Sequence, residues 1–159
     1  MNKNHENFRC RTQAGFTLVE LIITLTIAAI LVTVAVPSFR DVVQNNRITT
    51  QANEFLTALS IARSEALKRG RNVSISADTA GEWHNGWTIS DNLGNALYVN
   101  EGLEGGSTIT TAVDTLTFNS RGFLTTGTAT VFNLDVTDAQ SGRSITITPA
   151  GSSSIQKTP

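Results

Sequence analysis

The 159 residues include one cysteine, Cys10, so no internal disulfide can form and the fold has to be held by burial and strand pairing. Histidine is nearly as scarce. Only His5 and His84 occur, whereas zinc and iron sites draw on several His or Cys ligands. A serine triad would have to be built on His84, which lies in the turn-rich stretch Gly81–Gly86 with no serine and acid set around it by any motif. A lone loop histidine of this kind is ordinarily a hydrated side chain. No G-x-x-x-x-G-K-[ST] loop is found, which excludes a P-loop ATPase. Neither sign of charge dominates. Twelve Lys and Arg against 13 Asp and Glu give a net charge of −1, which is not a nucleic-acid footprint. The chain is therefore read as a non-enzyme without a cofactor or metal. Calcium held by Asp91, Asn92, Glu101 or Glu104 stays open, the plainer reading of such turns being hydration.

What the sequence has in abundance is one long apolar run. Phe16–Val36 reads FTLVELIITLTIAAILVTVAV, 21 residues with a single charge at Glu20. As a helix it would rise about 31 Å, close to the hydrocarbon thickness of a bilayer. The run is too long for the apolar region of a secretory signal. Only Ala35-Val36-Pro37 stands where an A-x-A cleavage site would follow it. It is expected to stay with the mature protein. A carboxylate inside a membrane segment is expensive, which marks Glu20 as functional. Thr17-x-x-Glu20 also fits a capping box, the plainer account of the same residue. Ahead of the run, Lys3, Arg9 and Arg11 outweigh Glu6, which predicts a cytoplasmic N-terminus and an outward-facing remainder.

Pro37 ends the run and predicts a kink or short break. Beyond it Val43, Ile48, Ala52, Phe55, Leu56, Leu59, Ala62, Ala66 and Leu67 recur at intervals near three and four. That spacing continues the pattern as an amphipathic helix, so one helix, bent near Pro37, is expected from about Thr17 to Arg69, capped by Gly70, with Lys68, Arg69 and Arg71 complementing its C-terminus. From Arg71 the pattern changes to period two. Val73–Ala77, Trp87–Ser90, Ala96–Val99, Ile109, Leu116, Phe118, Val131–Val136 and Ser144–Thr148 read as strands separated by Gly-, Asn- and Ser-rich turns. Ser144–Thr148 is expected to be the last strand, and Ala150–Pro159 a polar, mobile tail. The alternation of Trp87 predicts burial. Trp83, among Gly and Asn, is expected to be exposed, with contact to a partner the less favoured reading of it. Lys68-Arg69-Arg71 is better explained as a helix-end feature than as a DNA site.

Gly15-Phe16-Thr17-Leu18-Val19-Glu20, with the apolar run and Pro37 behind it, resembles the class III leader of type IV pilins and type II secretion pseudopilins. Further motifs follow in order: Ala62-Arg63-Ser64-Glu65-Ala66, the strand Val73–Ala77, Gly86-Trp87, Phe118–Gly122 and Gly142-Arg143-Ser144-Ile145-Thr146-Ile147. Together they make the chain similar to the GspH/FimT group of minor pilins and pseudopilins. The resemblance implies an α+β, type IV pilin-like fold, a long N-terminal helix packed on an antiparallel sheet domain. The implied organisation is a cleaved leader 1–15, a transmembrane half-helix 16–36, an amphipathic half 37–70, a β-rich part 71–149 and a flexible tail 150–159.

The resemblance also implies roles. A prepilin peptidase would cut between Gly15 and Phe16 and methylate the new N-terminus on Phe16. Glu20 would pair with the N-terminal ammonium of a neighbouring subunit. The partners implied are other pilins or pseudopilins through the N-terminal helix, the peptidase and an inner-membrane assembly platform. The location implied is a single-pass inner-membrane protein with its C-terminal domain in the periplasm, later assembled into a pilus or pseudopilus. Ser64-Glu65-Ala66 and Gly86-Trp87 lean towards FimU/FimT-type pilus subunits, with a type II secretion pseudopilin as the alternative. Some FimT proteins bind DNA through a Gly-Arg-x-Arg pattern. Here Arg143 is present but Ile145 stands in place of the second arginine, so DNA is not an expected partner.

Overall fold

The computed structural model describes residues 15–137, 139 and 141–158. The expected leader up to Ala14 lies outside the described residues, with its charges and Cys10. So do Asp138 and Gln140 of the turn expected before the Gly142 strand. The chain divides into two units, one ending at Ser38 and the other beginning at Phe39. Helix α1 (Leu18–Arg69) supplies the described secondary structure of the first unit and opens the second.

In the first unit every described residue from Gly15 to Ser38 is exposed. Four hydroxyls in this stretch are satisfied locally. Thr24, Thr26, Thr33 and Ser38 donate their hydroxyls to Leu21 O (2.8 Å), Ile22 O (2.8 Å), Ile30 O (2.7 Å) and Val34 O (3.3 Å). Such back-bonding lets hydroxyls sit in an apolar helix without a polar neighbour. The one helix expected from about Thr17 to Arg69 is found, and at Pro37, where a kink or short break was expected, α1 continues without a break. A proline removes one amide donor, and the turns on either side keep theirs.

Among its described residues the second unit is built from the rest of α1 and eight strands. Sheet A contains β1 (Val73–Ala77), β2 (Trp87–Asp91), β3 (Ala96–Asn100) and β5 (Thr115–Phe118) in the order β3-β2-β1-β5. Sheet B contains β4 (Ser107–Thr110), β6 (Thr130–Val136), β7 (Arg143–Ile147) and β8 (Ser153–Lys157) in the order β4-β6-β7-β8. The pairings within both sheets are antiparallel. A 3-10 turn, Trp83–Asn85, precedes β2.

The buried stripe of α1 runs Ile48, Gln51, Ala52, Phe55, Ala58, Leu59, Ala62, Ala66. Its alanines let backbone approach the helix closely, and Phe55 fills the space between them. Three residues assigned to this face from spacing alone do not belong to it. Val43 and Leu67 are exposed and Leu56 is half-buried, because a straight helix turns 100° per residue and these positions fall off the stripe. Phe55 meets Trp83, Trp87 and Phe132 with ring centroids 5.5, 5.1 and 4.9 Å apart, and Trp83 meets Phe132 at 5.1 Å. These four rings join the helix, the 3-10 turn, sheet A and sheet B into one core.

Two expectations are corrected. Trp83 is not an exposed platform but fully buried, and its Nε1–H donates to Val113 O at 2.7 Å. The surrounding Gly and Asn form the turn that delivers the indole inward. The expected mobile tail contains β8, which pairs with β7 through Ile145↔Ile155, so Ser144–Thr148 does not hold the last strand. Pairing at a sheet edge depends on the open backbone of the neighbouring strand rather than on the strand's own hydrophobicity. Gly151, at φ 76°, supplies the turn, with its N–H on Thr148 O at 2.8 Å.

Candidate functional site

The first candidate site is the start of α1. Gly15 and Phe16 precede the helix, Phe16 is 84% exposed, and a Cβ added to Gly15 would meet nothing within 4 Å. Thr17 caps the helix. Its Oγ1 accepts from Glu20 N at 3.2 Å, and its carbonyl accepts from Leu21 N at 3.1 Å. That is one arm of the capping box. The reciprocal bond from the Glu20 carboxylate back to Thr17 N is absent among the described residues. The carboxylate is exposed in the first turn, where the helix dipole favours a negative charge. Behind it stands a helix long and apolar enough to cross a membrane.

The other candidates lie in the second unit, and the structure does not bring them together. Arg143 starts β7. Its guanidinium donates to Thr49 Oγ1 of α1 at 3.0 Å and to Gly142 O at 2.9 Å, fastening sheet B to the helix. Ile145, at the position where a second arginine would stand, is fully buried. Lys68 and Arg69 turn back to Glu65 at 3.3 and 2.7 Å, and these bonds hold the Glu65 carboxyl below its ordinary range. The helix then ends as a Schellman motif at Gly70, φ 61°, with Gly70 N on Leu67 O and Arg71 N on Ala66 O.

Asp91 closes the β2–β3 turn by accepting from Asn95 Nδ2, Asn95 N and Leu93 N, which lowers its pKa from the ordinary value. His84 is half-buried in the 3-10 turn, and its carbonyl accepts from Leu103 N at 2.8 Å. Among the described residues no three His, Cys, Asp or Glu side chains gather to hold a metal ion.

Sequence reasoning missed the polar contacts that fasten loops to α1. Gln51 is buried, with its amide on Glu104 O at 2.8 Å and its carbonyl accepting from Ser107 Oγ. Arg63 donates to Ala150 O at 3.0 Å beneath Gly122 and Gly151. Both residues lie on or beside the buried stripe, and polarity at a core-facing helix position was the available signal.

Comparison with known proteins agrees with this architecture. The family model described as Type II transport protein GspH matches residues 51–151, and the Prokaryotic N-terminal methylation motif matches residues 10–36. Two curated relatives from Pseudomonas aeruginosa, each described as a fimbrial protein, are 34% identical over 67 residues. That alignment covers 42% of this chain and 43% of each relative. Crystal structures of the type IV minor pilin FimU of P. aeruginosa PAO1 superpose in two crystal forms. One has a TM-score of 0.63 at 29% identity, covering 72% of this chain and 90% of that one. The other has 0.59 at 30% identity, covering 70% and 92%. A family match over more than half of the residues, a shared pilin fold and the methylation motif at the head of the apolar helix show that the chain belongs to the GspH family of type IV pilin-like proteins.

Proposed function

We propose that the mature protein is a minor subunit of a type IV pilus, acting by assembly rather than by turnover. The observation that carries this reading is the first half of α1. Its apolar side chains from Leu18 to Val36 are exposed on every side, so they need either lipid or other apolar helices around them. A subunit that begins in a bilayer and ends in a fibre meets both needs in turn. On this reading a prepilin peptidase cleaves between Gly15 and Phe16 and methylates the Phe16 amine. The sheet domain faces the periplasm before assembly.

Glu20 then has a second use. In the membrane it lies near the headgroups, where a carboxylate is tolerated. In a fibre, without headgroups, it needs a cation, and the Phe16 ammonium of a neighbour supplies one. That pairing favours the correct axial register, because a misplaced subunit leaves a carboxylate buried without a partner. The test is the amount of this protein in sheared fibres from wild-type and Glu20→Ala cells with matched membrane levels. A several-fold loss from fibres is expected; equal incorporation would leave capping as the role of Glu20. Intact-mass measurement of the fibre subunit checks the cleavage site, and a chain still beginning at Met1 would refute it.

The family description favours a second reading, a minor pseudopilin of a type II secretion system. Gene neighbours distinguish the two: further minor pilins and a tip adhesin for the pilus, secretion components for the pseudopilus. DNA binding is not part of the proposal, since the Arg143 guanidinium is bonded to Thr49. A gel shift at low salt, with no retardation expected at micromolar protein, tests that exclusion.

A further inference from the structure

The end of the second unit where α1 stops gathers cations and exposed apolar side chains. The register of β1 sets Val73 beside Asp91 and beside Phe118. The terminus of α1, the entry to β1, the β2–β3 turn and the turn 119–123 therefore share one end. A hollow of about 230 Å³ lined by Arg69, Arg71, Asp91 and Asn92 joins the first three. The fourth rests on α1, where a Cβ added to Gly122 would stand 3.3 Å from the Leu67 side chain.

The charge here is one-sided. Lys68, Arg69, Arg71 and Arg121 are all exposed. The carboxylates at this end are Glu65 and Asp91, and both are engaged. Glu65 holds Lys68 and Arg69, while Asp91 accepts from Leu93 N and from Asn95. Arg71 and Arg121 have no carboxylate partner among the described residues. The neighbouring segments 125–129 and 148–152 carry no charged residue, and Leu124 N on Pro149 O at 2.9 Å ties them together.

Among these cations stand three large apolar side chains, one on each of three elements. Leu67 is 50% exposed, Leu93 72% and Phe123 41%. Two of them sit on turns fixed by their own hydrogen bonds. Leu93 N donates to Asp91 Oδ1 at 2.9 Å, and Phe123 N to Asn119 Oδ1 at 3.1 Å. The Arg121 guanidinium lies 5.9 Å from the centroid of the Phe123 ring. None of the three lines the hollow, so they offer separate tips rather than a slot for a peptide. Separate apolar tips suit a soft surface that each can enter. Lys and Arg between them suit a surface that is anionic, the composition that settles at the headgroup boundary of a bilayer.

We propose that this end of the domain docks on a bilayer bearing anionic phospholipid headgroups. Leu67, Leu93 and Phe123 enter the acyl boundary, and Arg71 and Arg121 meet headgroup phosphates. About 42 Å of helix separates Leu67 from Phe39, where the second unit begins, so the bilayer concerned is a second one. A nucleic acid would also answer the cations, but its phosphate backbone has no use for three apolar tips. The inference goes beyond assembly into a fibre. It takes from that reading only the membrane anchor of α1, which flotation with carrier vesicles reads separately.

The test places the full-length chain in neutral phosphatidylcholine carrier vesicles and adds labelled target vesicles with or without phosphatidylglycerol. Capture of the anionic targets is expected, several-fold above the neutral ones and falling as salt rises. Arg71→Glu with Arg121→Glu should lower capture about tenfold, and the same pair changed to Lys should keep it. Leu93→Ser with Phe123→Ser should also lower it about tenfold. Val131→Ser, at a comparably exposed apolar position on β6, should leave it unchanged. Near-ultraviolet dichroism checks that each variant folds. No capture of anionic targets by a chain that floats with its carrier overturns the proposal. Failure to float counts against the membrane reading of α1 instead. Capture indifferent to Leu93→Ser and Phe123→Ser, and displaced by duplex DNA, would make nucleic acid the ligand and overturn the proposal equally.

Discussion

Helix α1 contains two different solutions to one problem. Leu18–Val36 is apolar on all sides and leaves all of it exposed, whereas Ile48–Ala66 is apolar along one stripe and buries that stripe against its own domain. Among the described residues the first stretch has no apolar partner, and on the proposed pilin reading lipid or other chains supply one. The second finishes its burial at home, and its outer face stays polar. The exposed hydroxyls differ less than their surroundings do. Thr26 bonds back to Ile22 O, and Thr57 bonds back to Asn53 O, each within the helix. The contrast shows that helix formation is local in both halves, while the environment is chosen by the pattern of apolar residues around the axis.

The sharpest way to break the comparison is to empty the core of the second unit. Trp83→Ala should cost about 3–5 kcal/mol, since it removes a fully buried ring and leaves the Val113 carbonyl without its donor. Chemical denaturation of the full chain in detergent, followed by near-ultraviolet dichroism, measures this. Trp87→Ala is expected in the same range. A change below about 1 kcal/mol would refute the four-ring core.

A charge in the first half tests the opposite property. Leu25→Arg should weaken membrane insertion by about 2.5–3.5 kcal/mol, with the unfolding of the sheet domain unchanged within about 0.5 kcal/mol. Thr57→Arg, on the exposed face of the second half, should alter neither. Membrane fractionation beside the denaturation curve reads both. Equal effects of Leu25→Arg and Thr57→Arg on fractionation would abolish the distinction between the halves.

Gln51→Leu sharpens the second half further. It strands Ser107 Oγ and Glu104 O beside a helix that no longer pins the loop, with an expected loss of about 1–3 kcal/mol. Hydrogen exchange in Glu101–Gly106 should quicken in parallel. Unchanged exchange there would show that the loop is held by other contacts.

The smallest effect concerns acid. Glu65 and Asp91 both have pKa values lowered by folding, Glu65 by its bonds to Arg69 and Lys68, Asp91 by its bonds to Asn95. A carboxylate of lowered pKa adds stability that is fully present above the unfolded value and is lost as pH falls through the folded one. The loss should begin only below 4.5 for Glu65 and 3.8 for Asp91, and it should be slight, because neither group is buried away from solvent screening. Glu65→Gln should flatten the upper part of that decline. A decline already evident near neutral pH would point to another group.

Much of this protein is local, and local chemistry is legible in sequence. The apolar run, the Thr17 cap, the Gly70 stop and the β2–β3 turn at Asp91 depend on neighbours within a few residues, and each is where its residues place it. The resemblance of the Gly15–Glu20 border was legible for the same reason, being a short pattern ahead of a long one. Trp83 and β8 were misread because their fates depend on distant partners. Trp83 is buried by Phe55 and Phe132, which lie far from it in sequence, and by a carbonyl at Val113. Ser153–Lys157 is a strand because β7 offers it an open edge, which no count of its own serines could reveal. The burial of Gln51 against Glu104 O and Ser107 Oγ, more than fifty residues away, is also invisible in a reading of neighbours. Tertiary structure decided it, because a chain that doubles back brings residues together by position across the sheet rather than by order along the backbone.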